Sequence, residues 1–79
     1  MSIKERVYEL ILENLDVDPK ALVPDAKFIE DLGVSSMDLW ELVLVMEDEF
    51  DLEVPDEDLE KIVTIQDAIA FIESHVDQK

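Results

Sequence analysis

The stretch Asp31-Leu32-Gly33-Val34-Ser35-Ser36-Met37-Asp38-Leu39, running into the segment from Trp40 to Phe50, decides how this chain is read. It holds the only glycine of the sequence, an adjacent pair of serines and the start of a strongly periodic helix. Gly33 marks a sharp turn or a positive φ, which a residue without Cβ adopts at no steric cost. Ser35 or Ser36 follows as the helix N-cap, because a serine oxygen accepts a hydrogen bond from an otherwise unpaired first-turn amide. A serine hydroxyl is thereby set at the positive end of a helix dipole, where a phosphate is tolerated.

The helix that follows has two different faces. At about 100° per residue, Leu39, Leu42, Val43, Met46 and Phe50 fall on one side and form a core stripe. Met37, Trp40 and Leu44 fall roughly opposite, interleaved with Glu41, Glu47 and Asp48. A face that only meets water has no need of a tryptophan between carboxylates, and apolar anchors rimmed by charge suggest a docking surface. The alternative is that Trp40 covers the edge of the core or packs on a loop, since single exposed apolar residues are common.

These residues carry a family resemblance. Asp31-Leu32-Gly33, Ser36-Met37-Asp38, Glu41-Leu42-Val43 and Glu47-Asp48-Glu49-Phe50 resemble the corresponding segments of acyl carrier proteins. The likeness continues through Val54-Pro55-Asp56-Glu57, Lys61-Ile62 and Thr64-Ile65-Gln66-Asp67-Ala68, and so spans nearly the whole chain. The resemblance implies that Ser36 receives 4′-phosphopantetheine through a phosphodiester, placed there by a phosphopantetheinyl transferase. The arm's thiol then carries acyl groups as thioesters to acyl-transferring and chain-elongating enzymes of fatty-acid or related biosynthesis. It also implies an acyl-chain pocket between the helices at residues such as Leu42, Met46, Phe50, Ile62 and Ala68. One departure stands out: the family usually has aspartate just before the modified serine, and here that position is Ser35.

Bulk properties bound the rest. The 79 residues are read as one small domain, 1–79. A chain of this size buries about 60–65% of its unfolded surface and has a stability of roughly 4–12 kcal/mol. There is no cysteine, so no disulfide contributes and any thiol chemistry must come from an attached group. The N-terminal residues Met1-Ser2-Ile3-Lys4-Glu5-Arg6 precede no long apolar run, so neither a secretory signal nor stable membrane insertion is expected, and the expected compartment is cytoplasmic. Twenty-two acidic residues against six basic ones give a formal charge of −16. That charge repels nucleic acid and anionic membrane and favours enzymes with basic docking patches and salt-sensitive association. Composition alone is equally compatible with a merely soluble surface. Hydrophobic residues make up 48% of the chain and are well patterned, which disfavours disorder. A monomer is the default.

The expected fold is all-α: a small bundle of three main helices plus one short one, with a long loop between the first and second. The first helix is expected over residues 2–15, opened by the capping box Ser2-Ile3-Lys4-Glu5, with Ile3, Val7, Leu10, Ile11 and Leu15 as its apolar stripe. Pro19 ends it, since proline disfavours helical geometry at the preceding residue. Residues 16–35 make the long connection, with Leu22, Val23, Phe28, Ile29 and Leu32 available to pin it to the core and a helical turn expected near 20–23. A short third helix begins at 54–57, runs to about 61 and buries Leu59 and Ile62. The fourth is capped by Thr64-Ile65-Gln66-Asp67 and carries the stripe Ile65, Ala68, Ile69, Ile72 and Val76. The tail, 75–79, is expected to fray.

Two other chemistries fit these residues less well. A nucleophilic Ser36 needs a neighbouring general base and oxyanion donors, and the only histidine, His75, lies near the end of the last helix. Ser36 is therefore expected to be a substrate of other enzymes, and the chain is not expected to be an enzyme itself. No EF-hand glycine and glutamate spacing exists, so no specific metal site is expected. Looser divalent binding that relieves carboxylate repulsion is conceivable around Glu30, Asp31 and Asp38, or around Glu47, Asp51, Glu53 and Asp56. Two alternatives stay open: a specialised carrier for polyketide, lipid-modifying or aminoacyl chemistry, and an unmodified acidic helical module that binds a basic partner.

Overall fold

The computed structural model describes residues 2–76. Four α-helices follow in order: α1 (Ile3–Asn14), α2 (Ser36–Phe50), α3 (Asp56–Leu59) and α4 (Ile65–His75). A 3₁₀ turn at Pro19–Ala21 interrupts the long α1–α2 connection, slightly earlier than the turn expected near 20–23. Proline fits its first position because the missing N–H is an orphan there anyway. The all-α bundle is therefore the observed fold.

Local chemistry explains the boundaries. Ser2 caps α1 through a complete capping box, its hydroxyl accepting the Glu5 amide at 3.1 Å. Thr64 and Asp67 form a second box at α4: Thr64 Oγ1 accepts the Asp67 amide at 3.0 Å, and Asp67 Oδ2 accepts the Thr64 and Val63 amides at 3.0 and 3.1 Å. These donors hold the Asp67 carboxyl below the usual carboxylate range, the Thr64 amide contributing most. α2 ends at Asp51, a non-glycine residue in the left-handed region with φ 54°. α3 is a single turn rather than a helix reaching 61. Pro55 at its start provides no side-chain cap, and all three residues of its first turn are acidic.

One hydrophobic core joins the three longer helices. Val7, Leu10 and Ile11 of α1 meet Leu39, Leu42, Val43 and Met46 of α2 and Ile65, Ala68, Ile69 and Ile72 of α4. Phe50, Leu59 and Val76, expected inside, are only half-buried against this cluster. Arg6 of α1 adds a two-point clamp to Glu49 of α2, with Nε and Nη2 donating at 2.9 and 3.1 Å to the two carboxylate oxygens. The hydrogen bonds from the guanidinium lower the Glu49 carboxyl below its ordinary pKa.

Phe28, fully buried, is the pin of the long connection, with Ala26 and Val34 beside it in the core. Backbone hydrogen bonds complete the attachment. The Phe28 amide donates to Val63 O, Ile65 to Ala26 O and Gln66 to Pro24 O, each at 3.0 Å. The connection is thus stapled to the start of α4, and an isolated antiparallel bridge joins Lys27 to Thr64. Ile29 and Val23, expected to help pin this loop, instead stay half exposed, at 51% each. Phe28 and the backbone staple do that work, leaving Ile29 free for another surface. Of the expected fraying tail, His75 closes α4 and Val76 caps it; residues 77–79 lie outside the described residues.

Candidate functional site

The site is built where the stapled loop hands over to α2. Gly33 has φ 72°, as the expected turn requires, and an added Cβ would meet nothing within 4 Å. Its role is conformational rather than steric. The Val34 amide, donating to Phe28 O at 3.1 Å, then brings the chain back toward the core. Of the two serines, Ser35 is the cap. It is extended, with φ −79° and ψ 163°, and its hydroxyl accepts the Asp38 amide at 3.1 Å.

Ser36 is consequently the first helical residue, exposed to solvent. Among the described residues nothing hydrogen-bonds its hydroxyl. The amides of Ser36 and Met37 also lack a protein acceptor among the described residues, as expected for the first positions of a helix. An exposed hydroxyl beside two free amides fits a phosphodiester, whose oxygens accept such donors at a dipole's positive end. It does not fit a catalytic serine. The His75 Nδ1 lies 2.8 Å from Phe71 O and its ring stacks on Phe71 at 4.1 Å, so the imidazole is engaged within α4.

Beside Ser36 opens an apolar groove of about 490 Å³ with three walls. The first turns of α2 supply Ser36, Met37, Leu39 and Trp40; the loop supplies Lys27, Ile29 and Glu30; the α3–α4 junction supplies Leu59, Glu60, Ile62 and Val63. Lys27 Nζ sits 3.0 Å from Glu30 Oε2 on the rim, and that partner raises the lysine pKa. Of the residues expected to line an acyl pocket, only Ile62 borders this groove. Leu42, Met46 and Ala68 are buried in the closed core with Ile62, and Phe50 is half-buried. Sequence reasoning missed Ile29, Leu39, Leu59 and Val63 as groove residues. For Ile29 and Val63 the available signal was apolar character left outside the core, whereas Leu39 and Leu59 pack on the core and border the groove as well.

The residues expected to form a docking face fall into two parts on the structure. Met37, Trp40 and Leu44 are 70%, 49% and 43% exposed, and Glu41 and Asp48 lie exposed among them. Met37 and Trp40 border the groove at Ser36, whereas Leu44, Glu47 and Asp48 border a separate open hollow with Leu52, Val54 and Pro55. Glu47 has structural work as well, its Oε2 accepting the Val54 amide at 2.7 Å across the α2–α3 link.

Among the described residues, no group of three or more acidic, histidine or cysteine side chains is placed to hold a metal ion. Glu30 is paired with Lys27, and Asp31 accepts the Lys27 amide at 2.8 Å, so the two are occupied within the loop. No helix among the described residues is long and apolar enough to cross a membrane.

Comparison with known proteins agrees with this geometry. The family described as "Phosphopantetheine attachment site" matches residues 5–72. An acyl carrier protein of Solidesulfovibrio magneticus is 52% identical over 73 residues, covering 92% of this chain and 94% of its own length. One of Bdellovibrio bacteriovorus is 51% identical over the same extent, with the same coverage. A match across most of both chains shows more than a shared bundle: this chain belongs to the acyl carrier protein family, non-catalytic carriers that bear 4′-phosphopantetheine and are handled by a phosphopantetheinyl transferase and by biosynthetic enzymes.

Proposed function

We propose that residues 1–79 act as one carrier domain in the cytoplasm, with Ser36 as the attachment point and fatty-acid biosynthesis as the setting. The observation that carries this reading is the division between the two serines. Ser35 spends its hydroxyl on the Asp38 amide, while Ser36 keeps its own free, exposed and next to two unpaired amides. In the transferase reaction the Ser36 hydroxyl passes its proton to a base of the transferase and its oxygen bonds to the phosphorus next to the pantetheine of coenzyme A, as the phosphoanhydride P–O bond breaks and the adenine-nucleotide part leaves. Once attached, the arm supplies a terminal thiol that holds acyl groups as thioesters.

The chain's own residues do the rest. The formal charge of −16 draws in basic partner surfaces from a distance. Glu41, Glu47 and Asp48 focus that attraction along α2, and Met37, Trp40 and Leu44 add short-range apolar contact. Leu42, Met46, Phe50, Ile62 and Ala68 are the interior that an acyl chain reaches if the helices part, and Met46 suits such opening because its unbranched side chain adapts to irregular space. The protein works as a monomer.

Intact mass after co-expression with a phosphopantetheinyl transferase tests the reading. A single adduct is expected on the wild type and on Ser35→Ala, and none on Ser36→Ala. An adduct that survives Ser36→Ala moves the attachment elsewhere. A chain that stays bare in all three forms leaves only an acidic binding module.

A further inference from the structure

Cations are scarce in this chain, six against 22 acidic residues. Arg6 is clamped to Glu49 and Glu9, and Lys4 lies 6.0 Å from the Tyr8 ring centroid on α1. Among the described residues, Lys27 alone brings a positive charge to the groove that Ser36 borders. The hydrogen bond from the Val34 amide to Phe28 O, at 3.1 Å, joins the two segments that carry Lys27 and Ser36. The other charged residues on that rim, Glu30 and Glu60, are acidic, and Asp38 is exposed just beyond Ser36.

Resting on the attachment reading above, we propose that Lys27 is the counter-cation of the phosphodiester on Ser36. Once the arm is attached, the Lys27 ammonium exchanges its pair with Glu30 for the phosphate and so positions the start of the arm. Attachment places a permanent negative charge beside the rim carboxylates, in a molecule whose formal charge is already −16. Self-repulsion makes that addition unfavourable unless a cation meets it. The ammonium of Lys27 is available for this. It lies 3.0 Å from Glu30 Oε2, but the two side chains are 48% and 68% exposed, and an ion pair so open to water is weakly held. The flexible stem and rotatable donors of a lysine let it change acceptors without moving the backbone. The backbone at Lys27 is meanwhile fixed, because its amide donates to Asp31 Oδ2 at 2.8 Å and the residue is bridged to Thr64. A fixed base with a movable ammonium serves the bare chain and the loaded chain in turn, Glu30 holding the charge until the phosphate arrives.

Competitive amine labelling reads the exchange. The loaded form is made with coenzyme A and a phosphopantetheinyl transferase and verified by intact mass. Bare and loaded protein are treated with trace acetic anhydride, and the reactivity of Lys27 is measured by peptide mass spectrometry relative to Lys20, exposed on the 3₁₀ turn. Pairing favours the charged ammonium and slows its acylation. In Glu30→Gln, with folding confirmed by circular dichroism, bare protein should label faster at Lys27 than wild type. Loading should then slow it by about 1.5–5-fold, the range of an exposed ion pair, and sodium chloride at about 0.5 M should shrink that slowing. In the double variant Glu30→Gln with Ser36→Ala, treated identically, Lys27 should stay fast. Loading should also lower the thermal midpoint further in Lys27→Gln than in wild type, with Lys27→Arg restoring the wild-type response. The proposal is overturned if loading does not slow Lys27 in Glu30→Gln, or if salt leaves the slowing undiminished, as when the arm merely covers the amine. Equal effects of loading on the midpoints of Lys27→Gln and wild type overturn it as well. Failure of the attachment reading shows separately: no mass increment appears on the wild type, or Ser36→Ala gains one.

Discussion

Replacing Ser35 separates the capping role from the attachment role, and the structure gives the size of each effect. In Ser35→Ala the only interaction lost is the 3.1 Å hydrogen bond from the Asp38 amide. Because Ser35 is exposed, water takes over part of that bond, and loss of a serine N-cap costs about 1 kcal/mol. Against a total of roughly 4–12 kcal/mol for a chain of this length, the melting midpoint should fall by about 4–8 °C. Ser35→Asp restores the family's usual residue and keeps an acceptor in place. Its charge gains about 0.3–1 kcal/mol at the helix N-terminus and loses about 0.2–0.5 kcal/mol to a like charge three residues on, at Asp38. The two offsets nearly cancel, so Ser35→Asp should melt within a few degrees of the wild type. Thermal melts followed by circular dichroism measure both variants, and intact mass checks that each still accepts the arm at Ser36. An unchanged midpoint in Ser35→Ala refutes the capping assignment. Loss of the adduct at an unchanged midpoint shows that Ser35 is read by the transferase.

Gly33→Ala should cost about 1–2 kcal/mol from its positive φ and Gly33→Asn distinctly less, since asparagine tolerates that region; equal losses in urea denaturation contradict a purely conformational role. Phe28→Ala should remove about 3–5 kcal/mol, leaving the fold marginal or lost by circular dichroism, and a loss below about 1 kcal/mol shows that the loop is not pinned there. The Asp67 carboxyl, held below its unfolded pKa by backbone amides, contributes stability that is fully present above the unfolded carboxylate value and lost as pH falls through the folded one. Asp67→Asn should therefore be less stable by about 1 kcal/mol at neutral pH, and the gap should close in acid; a gap constant with pH is the contrary result. Raising sodium chloride should raise the melting midpoint, because screening relieves self-repulsion at a charge of −16, and a flat response means that the acidic surface carries no such strain.

What was legible in the sequence was whatever local chemistry decides. Two capping boxes, at Ser2 and Thr64, announce α1 and α4 because a box needs only residues three apart. The stripe Leu39, Leu42, Val43 and Met46 announces the buried face of α2 by its spacing. The lone glycine announces a positive φ. α3 was overextended because Leu59 and Ile62 have helical spacing, yet nothing caps the segment at Pro55, and from Val63 onward the backbone is tied to the long connection instead of continuing a helix. The staple between residues 24–28 and 63–66 had no local signal at all. It consists of backbone bonds between segments nearly forty residues apart, and backbone groups carry no sequence identity. The groove was missed for the same reason, since its walls come from three segments that only this pairing brings together.

The adjacent serines show why one hydroxyl could not have served both purposes. A cap residue turns its side chain back over the first turn, so that its oxygen faces the amide three residues ahead; that oxygen is spoken for and partly shielded. The next residue has already entered helical geometry, and its side chain projects outward from the first turn. Placing the acceptor of a bulky group at the cap would set a phosphoester where the helix needs a hydrogen-bond acceptor, and each modification would then loosen the first turn of α2. With Ser35 or an aspartate as the cap, the attachment proposed for Ser36 leaves the helix start fixed. On the attachment reading proposed above, a group at the first helical position starts from the edge of the groove that Ser36 borders together with Met37, Trp40 and the stapled loop. On that reading, the register of a single residue, Ser35 as cap and Ser36 as first turn, keeps the start of the helix independent of its modification.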